Sequence, residues 1–304
     1  MKILIFGSNG LVGSSLLRNF KKNKNFYVYG ATRKEANLFS FDETNNFIRK
    51  QAPDVVINAA AKVGGIVANN TNRTEFILEN LKINMNILES LVDKQYIKLI
   101  NLGSSCIYPL DAPNPISESS LMKGPLEPTN SPYAMAKLTA IELGDALSKQ
   151  HGNTVINLMP TNLYGPNDNF SETSSHVIPG LMGRLHKAKT NKEKVFKVWG
   201  TGNPKREFLH VDDLSDSIDF LITKNHEPSL INVGSGEEIT IAELVKILNS
   251  IIQFEGDIEF DTTMPDGNPR KLLDSTSINE LGWKAKISLS EGLKNTYNWY
   301  LENI

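Results

Sequence analysis

The chain has 304 residues, 40% of them hydrophobic, enough to bury a full core and to divide into two units. A formal net charge of -2 gives no footprint for nucleic acid or an anionic membrane, and no apolar run is long enough to cross a bilayer. The single cysteine, Cys106, excludes an internal disulfide. With a strand-like segment starting at the N-terminus in place of a signal peptide, it leads us to expect a cytoplasmic protein.

Residues 2–6 read as a strand that runs into Gly7-Ser8-Asn9-Gly10-Leu11-Val12-Gly13, with a helix expected over residues 14–22. Glycines at the first, fourth and seventh places after a strand permit a tight turn and close backbone approach to a pyrophosphate, which the helix N-terminus then holds. An ordinary strand-to-helix turn fits the same glycines. A second strand over residues 26–31 ends in Ala31-Thr32-Arg33-Lys34. An NAD site usually places a carboxylate here, whereas a guanidinium pairs with a 2′-phosphate. The reading is therefore NADPH, with Arg33 as main contact, Lys34 as helper and Glu35 as a counter-indication. A solvated surface pair is the alternative.

A third strand over 54–58 continues into Ala59-Ala60-Ala61-Lys62-Val63-Gly64-Gly65, small residues that let a ligand lie against backbone. A helix is expected over 74–94, with Phe76, Ile77, Leu81, Met85, Leu88 and Leu91 apolar. The fourth strand, 98–102, ends in Gly103-Ser104-Ser105-Cys106-Ile107-Tyr108-Pro109. Next, Ser131-Pro132-Tyr133-Ala134-Met135-Ala136-Lys137 opens a helix to about residue 149. There Tyr133 and Lys137 stand four apart and share a face. A nearby ammonium is expected to lower the tyrosine pKa and so suit Tyr133 to proton donation. An exposed lysine beside a half-buried tyrosine would read the same. Ser104 sits where a hydroxyl can meet the carbonyl that Tyr133 protonates, or it is turn chemistry. Cys106 is either an inert small hydrophobe or, if the cleft lowers its pKa, an acid/base. With a fifth strand over 154–159, the alternation argues an α/β fold, a Rossmann-type doubly wound parallel sheet.

Beyond residue 159 the pattern is irregular. Pro160-Thr161-Asn162-Leu163-Tyr164-Gly165-Pro166 leads towards His176, which opens an apolar helix containing Arg184. Residues 195–199 and 206–211 read as short strands, bringing Lys205 and Arg206 near Trp199, a combination suited to a phosphate and a ring. A helix begins at Val211, a last sheet strand spans 230–233, and a helix over 239–252 opens a C-terminal lobe. The basic loop Pro265-Asp266-Gly267-Asn268-Pro269-Arg270-Lys271 in that lobe could cover an anionic substrate.

These motifs together resemble the extended short-chain dehydrogenase/reductases and, within them, the GDP-L-fucose synthase family. General marks are Gly7, Gly10 and Gly13, Asn58-Ala59-Ala60-Ala61, and Tyr133 with Lys137. More specific are the runs 61–70, 103–109, 160–166 and 206–213, and Pro265-Asp266-Gly267 with Arg270-Lys271-Leu272-Leu273-Asp274. The resemblance runs essentially end to end. It implies NADPH-dependent conversion of GDP-4-keto-6-deoxymannose to GDP-L-fucose by 3,5-epimerisation and 4-keto reduction. Cys106 would be the base and His176 the acid, while Tyr133, Ser104 and Lys137 stabilise the enolate oxygen and support reduction. Cofactor contacts are implied for Gly7, Asn9, Gly10, Leu11, Val12 and Gly13, then Arg33, Asn37 and Leu38, then Ala59, Ala60, Ala61 and Leu102. Pro160, Thr161, Asn162, Leu163 and His176 complete that set with Tyr133 and Lys137. Substrate contacts are implied for Ser104, Ser105, Cys106 and Asn162, with Arg184, Arg206 and Lys271 on the pyrophosphate and Trp199 near the nucleotide. No metal is implied.

The family's glycine loop often carries an arginine for the 2′-phosphate where this chain has Asn9, which weakens the NADPH preference. Sister enzymes acting on related GDP-4-keto sugars, in colitose or 6-deoxy-heptose pathways, would use the same residues. A non-catalytic NADP-binding protein would be expected to lack Tyr133, Lys137 or Ser104, and all are present. The resemblance implies a homodimer through the helices expected over 74–94 and 132–149, where Ile141 and Leu143 fit either an interface or the core. The expected division is 1–160 plus 206–234 for the cofactor and 161–205 plus 235–304 for the GDP-sugar.

Overall fold

The computed structural model describes residues 1–172, 174–224, 229–264 and 266–304; Pro265 of the expected basic loop lies outside the described residues. The first half alternates β1 (Lys2–Phe6), α1 (Leu11–Phe20), β2 (Tyr27–Ala31), α2 (Phe41–Gln51), β3 (Val55–Asn58), α3 (Ile66–Thr71), α4 (Arg73–Glu89), β4 (Lys98–Leu102), α5 (Ser131–His151) and β5 (Val155–Pro160), with α2 and α3 additional to the expected elements. Then come β6 (Asn162–Tyr164), α6 (Val177–Thr190), β7 (Val195–Trp199), β8 (Lys205–His210), α7 (Val211–Ile222) and β9 (Leu230–Val233). The chain ends with β10 (Glu238–Thr240), α8 (Ile241–Ile252), β11 (Asp257–Asp261), β12 (Arg270–Lys271), α9 (Thr276–Glu280) and α10 (Leu289–Asn303).

Six strands form a parallel sheet in the order β2-β1-β3-β4-β5-β9. Successive residues of β1 point to opposite faces: Ile3 and Ile5 join Leu16, Phe20, Leu214 and Ile218 under α1 and α7, while Leu4 and Phe6 join Ile48, Ile83 and Ile87 under α2 and α4. Helices cover both faces, which is why the inner strands β1, β3, β4 and β5 are buried on both sides, whereas the edge strand β2 alternates. The doubly wound sheet is as expected.

Asparagines cross the sheet near the strand ends. Asn58, Asn101 and Asn157 are register partners on adjacent strands, so their side chains line one face. Asn58 Nδ2 donates to Asn84 Oδ1 at 2.9 Å and Asn101 Oδ1 at 3.2 Å; Asn101 Nδ2 donates to Asn157 Oδ1 at 2.9 Å; Asn157 Nδ2 donates to the Ser229 carbonyl at 3.1 Å. Each amide meets its neighbour's complementary end, so the run is satisfied only as a unit.

The second unit is built around β8, which pairs with β6, β10 and β12, while β7 pairs with β11. Its core joins Ile178, Met182 and Leu185 of α6 to Leu244 and Leu248 of α8 and Leu293 and Tyr297 of α10. Phe208 packs into this core and its neighbour Leu209 into that of the large sheet, so β8 joins the two.

Some expectations need correction. Helix α1 begins at Leu11, three residues before the expected start, because Gly10 already stands at its N-cap. Helix α4 stops at Glu89, where tight turns take over through residue 97. Ile141 and Leu143 on α5 pack inward against buried core residues, and the exposed apolar residues of α4 and α5 are Leu78, Met85 and Met135. Among the described residues no helix is long and apolar enough to cross a membrane.

Replacing Asn101 by Leu would leave Asn157 Oδ1 without its donor and remove one acceptor from Asn58. Denaturant unfolding should show a loss of about 1–3 kcal/mol; an unchanged midpoint would mean the asparagine run contributes nothing.

Candidate active site

The strand ends of the large sheet build the site. At the end of β1, Gly7 adopts φ +78°, open to glycine without strain, and a Cβ there would lie 2.7 Å from the Ala59 oxygen and Ala60 nitrogen. A Cβ on Gly13 would lie 2.2 Å from the Gly7 carbonyl oxygen. The glycines therefore let β1, α1 and the end of β3 meet backbone to backbone. The first turn of α1 holds no acidic residue, leaving a positive helix end free of carboxylates. This cradle fits a dinucleotide pyrophosphate.

At the end of β2, Arg33 is exposed with its guanidinium 5.8 Å from the Phe39 ring centroid. Glu35 turns back to accept from the Thr32 backbone and hydroxyl, which holds its carboxyl below the ordinary range. The carboxylate nearest Arg33 in sequence is thus already engaged by Thr32. Asn37 accepts from Phe39 N at 3.1 Å, and the Leu38 carbonyl accepts from Asn86 at 2.8 Å, fixing the loop beside Arg33.

Beyond β4, Ser104 caps a short 3-10 turn, Ser105–Ile107, its Oγ accepting from Cys106 N at 3.4 Å. Cys106 is buried and free. Burial pushes its thiol pKa up, against the pull of Lys271, the Ser104 hydroxyl and Lys137. The expected lowering of this thiol is thus not what the structure gives: desolvation outweighs the nearby cations.

Helix α5 presents Tyr133 and Lys137 to the same place. Lys137 is buried, its Nζ donating to the Leu102 carbonyl at 2.6 Å and lying 5.8 Å from the Tyr133 ring centroid. Burial brings its pKa down to about 8. Tyr133 is pushed well above the ordinary phenol range, by burial first and by Cys106 second, which overturns the expectation of a lowered value. The ammonium is bonded to the Leu102 carbonyl and faces the ring, so desolvation of the phenolate decides the sign.

His176 stands at the N-cap of α6 with no side-chain capping bond. The residue keeps exposed surface, while crowding by protein atoms pushes its imidazole pKa down. Asn162 Nδ2 and Thr161 Oγ1 both donate to the Glu207 carbonyl, at 2.8 and 3.2 Å.

On the lobe side, β8 and β12 place Arg206 and Lys271 in register. Both are lowered by burial, and Arg206 acts further against Lys271. Two neighbouring partly desolvated cations make a wall suited to a diphosphate. Arg184 lies 5.7 Å from the ring centroid of Trp199, whose 57% exposure leaves it open to a planar ligand.

Glu207 was not anticipated. It is fully buried, and its carboxylate accepts from Gly236 N at 2.8 Å and Leu273 N at 3.0 Å, tying β8 to the segments after β9 and β12. The available signal was a carboxylate between Arg206 and the apolar Phe208-Leu209, where a buried strand rarely admits one.

Residues 3–234 match the model of the NAD dependent epimerase/dehydratase family. The chain is 48% identical over 303 residues to GDP-L-fucose synthase 1 of Arabidopsis thaliana, covering 100% of this chain and 94% of the relative. It is 36% identical over 304 residues to GDP-L-colitose synthase of Yersinia pseudotuberculosis, covering 99% and 98%. Among solved structures, the GDP-L-fucose synthetase of Naegleria fowleri bound to NADP superposes with a TM-score of 0.89 at 29% identity, covering 99% of this chain and 94% of that one. Glycine cradle, tyrosine–lysine helix and full-length likeness agree: the chain belongs to the NAD dependent epimerase/dehydratase family, on the branch of the GDP-L-fucose synthases.

Proposed function

We propose that this chain converts GDP-4-keto-6-deoxymannose to GDP-L-fucose, inverting C3 and C5 and then reducing the 4-keto group with NADPH. The observation that carries the reading is the buried thiol of Cys106, whose backbone N donates to Ser104 Oγ at the strand end that Lys137 grips through the Leu102 carbonyl. A plain 4-keto reductase uses Tyr133, Lys137 and Ser104 but has no task for that thiol. The higher identity to a fucose than to a colitose enzyme supports the choice of sugar. We assign the cofactor to residues 1–160 and 206–234 and the GDP-sugar to 161–205 and 235–304, with β8, which packs into both cores, lending Arg206 to the GDP-sugar side.

The 4-keto group acidifies the hydrogens on C3 and C5, because the carbanion delocalises onto oxygen. At each carbon Cys106 as thiolate takes one proton and His176 as imidazolium delivers one to the opposite face; between the two inversions Cys106 gives its proton to solvent and His176 takes one from it. Tyr133 and Ser104 donate to the enolate oxygen, and the fixed charge of Lys137 supports them. Bound NADPH supplies the hydride to C4. Tyr133 then gives its proton to O4; its raised pKa keeps it a phenol with that proton in hand. Arg184, Arg206 and Lys271 hold the diphosphate, Trp199 stacks on the base, and Asn162 orients the sugar.

Turnover of this substrate with NADPH in deuterated water tests the reading, with label expected at both C3 and C5. Replacing Cys106 by Ser should lower epimerisation by about 10²–10⁴-fold and reduction by much less. Reduction without label, or label at C5 alone, would assign the chain to a sister sugar.

The pKa directions fix the pH dependence. Inversion follows the product of thiolate and imidazolium fractions, with Cys106 displaced upward and His176 downward. Between the two values each pH unit gains about tenfold thiolate and loses about tenfold imidazolium, so the product is flat. It falls on the acid side of His176, and on the alkaline side first as Lys137 loses its charge above about 8 and again beyond Cys106. Epimerisation should therefore be level through neutrality, while hydrogen exchange in His176→Asn climbs about tenfold per pH unit. A wild-type profile with that slope would remove His176 as the acid.

We further propose a homodimer through α4 and α5, supported by Leu78, Met85 and Met135, which are exposed on these helices. Sedimentation showing only monomer at micromolar concentration would refute it. A cytoplasmic location, which keeps Cys106 reduced, fits the same reading.

A further inference from the structure

We infer that Gly64-Gly65, with Asn69, is a brace that sets the position of His176 for proton delivery, an inference that rests on the acid role proposed above. Gly65 sits before α3 with φ −66° and ψ 179°, a conformation open to any residue, so backbone freedom does not explain a glycine there. Close approach does. A Cβ on Gly65 would lie 2.6 Å from the Ser175 carbonyl oxygen, and Gly65 N donates to the Ser174 carbonyl at 3.0 Å.

The brace is itself anchored. Asn69 is buried, and its Nδ2 donates to the carbonyls of Gly64 at 2.7 Å and Gly65 at 3.2 Å. Ser175 immediately precedes His176, whose ring makes no capping bond of its own, so the incoming backbone fixes where the imidazole starts. From the other side, a Cβ on Gly180 would lie 2.6 Å from Ser175 Oγ, and Gly180 N donates to the His176 carbonyl at 3.0 Å. The brace also reaches the reductase side. A Cβ on Gly64 would lie 3.2 Å from the Phe76 ring, and Phe76 meets Tyr133 edge to face at 6.3 Å. Gly64-Gly65 thus spans the distance between the proposed acid and the proposed proton donor.

Gly65→Ala keeps the backbone conformation accessible and pushes the Ser174–Ser175 segment away. Three quantities separate a positioning role from a general packing role: epimerised product, C3/C5 hydrogen exchange in deuterated water without NADPH, and NADPH affinity by calorimetry. Gly65→Ala should form epimerised product about 10-fold more slowly or worse, with exchange and NADPH affinity within about threefold of wild type, since Cys106 still removes the proton. His176→Asn at neutral pH should reproduce this split. Unchanged epimerisation in Gly65→Ala overturns the brace, and so does a parallel fall in all three quantities. If Gly65→Ala does not fold, Asn69→Ala, which withdraws two donors and adds no atoms, decides by the same split. Wild type without C3/C5 exchange defeats the functional reading itself and the brace with it; exchange in wild type with an undisturbed Gly65→Ala defeats the brace alone.

Discussion

A single bond, from the buried Lys137 ammonium to the Leu102 carbonyl at 2.6 Å, fixes the geometry of the site. Taking an ammonium out of water is costly, and one carbonyl partner offsets it only in part, which is why the lysine pKa falls to about 8. The fold accepts that cost at a particular place. Leu102 is the last residue of β4 and leads through Gly103 directly to Ser104 and Cys106; Lys137 is one helical turn beyond Tyr133. One hydrogen bond thus holds the tyrosine helix against the strand end that carries the hydroxyl and the thiol.

Burial then imposes a common direction on every group around that bond. It raises Tyr133 and Cys106 and lowers His176 and Lys137, so all four are biased towards their uncharged forms, phenol, thiol, imidazole and amine. The result suits a reaction whose charge appears only in transit, on an enolate oxygen and then on an alkoxide. Two cations, Arg206 and Lys271, stand in register on β8 and β12, where the proposed diphosphate would bring its own charge. Lys271 and Lys137 pull the thiol pKa down, and burial outweighs them, so Cys106 keeps the basicity of a desolvated thiol.

The sheet and its cofactor cradle were legible because local signals agree with the global fold: apolar runs end in glycine, alanine or serine where parallel strands meet a ligand. The positions of Ser104, Cys106, Tyr133 and Lys137 followed from those strand and helix ends. Their protonation did not. Spacing shows that Lys137 faces Tyr133, but only coordinates show that the ammonium is bonded to Leu102 and that burial outweighs it. Short elements were also missed, among them β6, β10, β11 and β12, because two to five residues carry too little periodicity and exist only through pairing with β7 and β8. Glu207 belongs to the same class, since its partners Gly236 and Leu273 are distant in sequence and β8 alone brings them together.

That strand explains how one keto group can serve two reactions. Leu209 of β8 packs into the large sheet's core and Phe208 into the lobe's, while the Glu207 carbonyl holds Thr161 and Asn162 and its carboxylate holds the chain just past Lys271. With the diphosphate on Arg206 and Lys271 as proposed, one strand registers the sugar against the end of β5. The hydride must approach C4 from that side, whereas proton exchange at C3 and C5 needs groups on both faces of the ring. The catalytic order then follows from chemistry, because reduction removes the carbonyl that makes C3 and C5 acidic. Epimerisation must come first, and a rigid seat for the diphosphate lets the substrate wait for it.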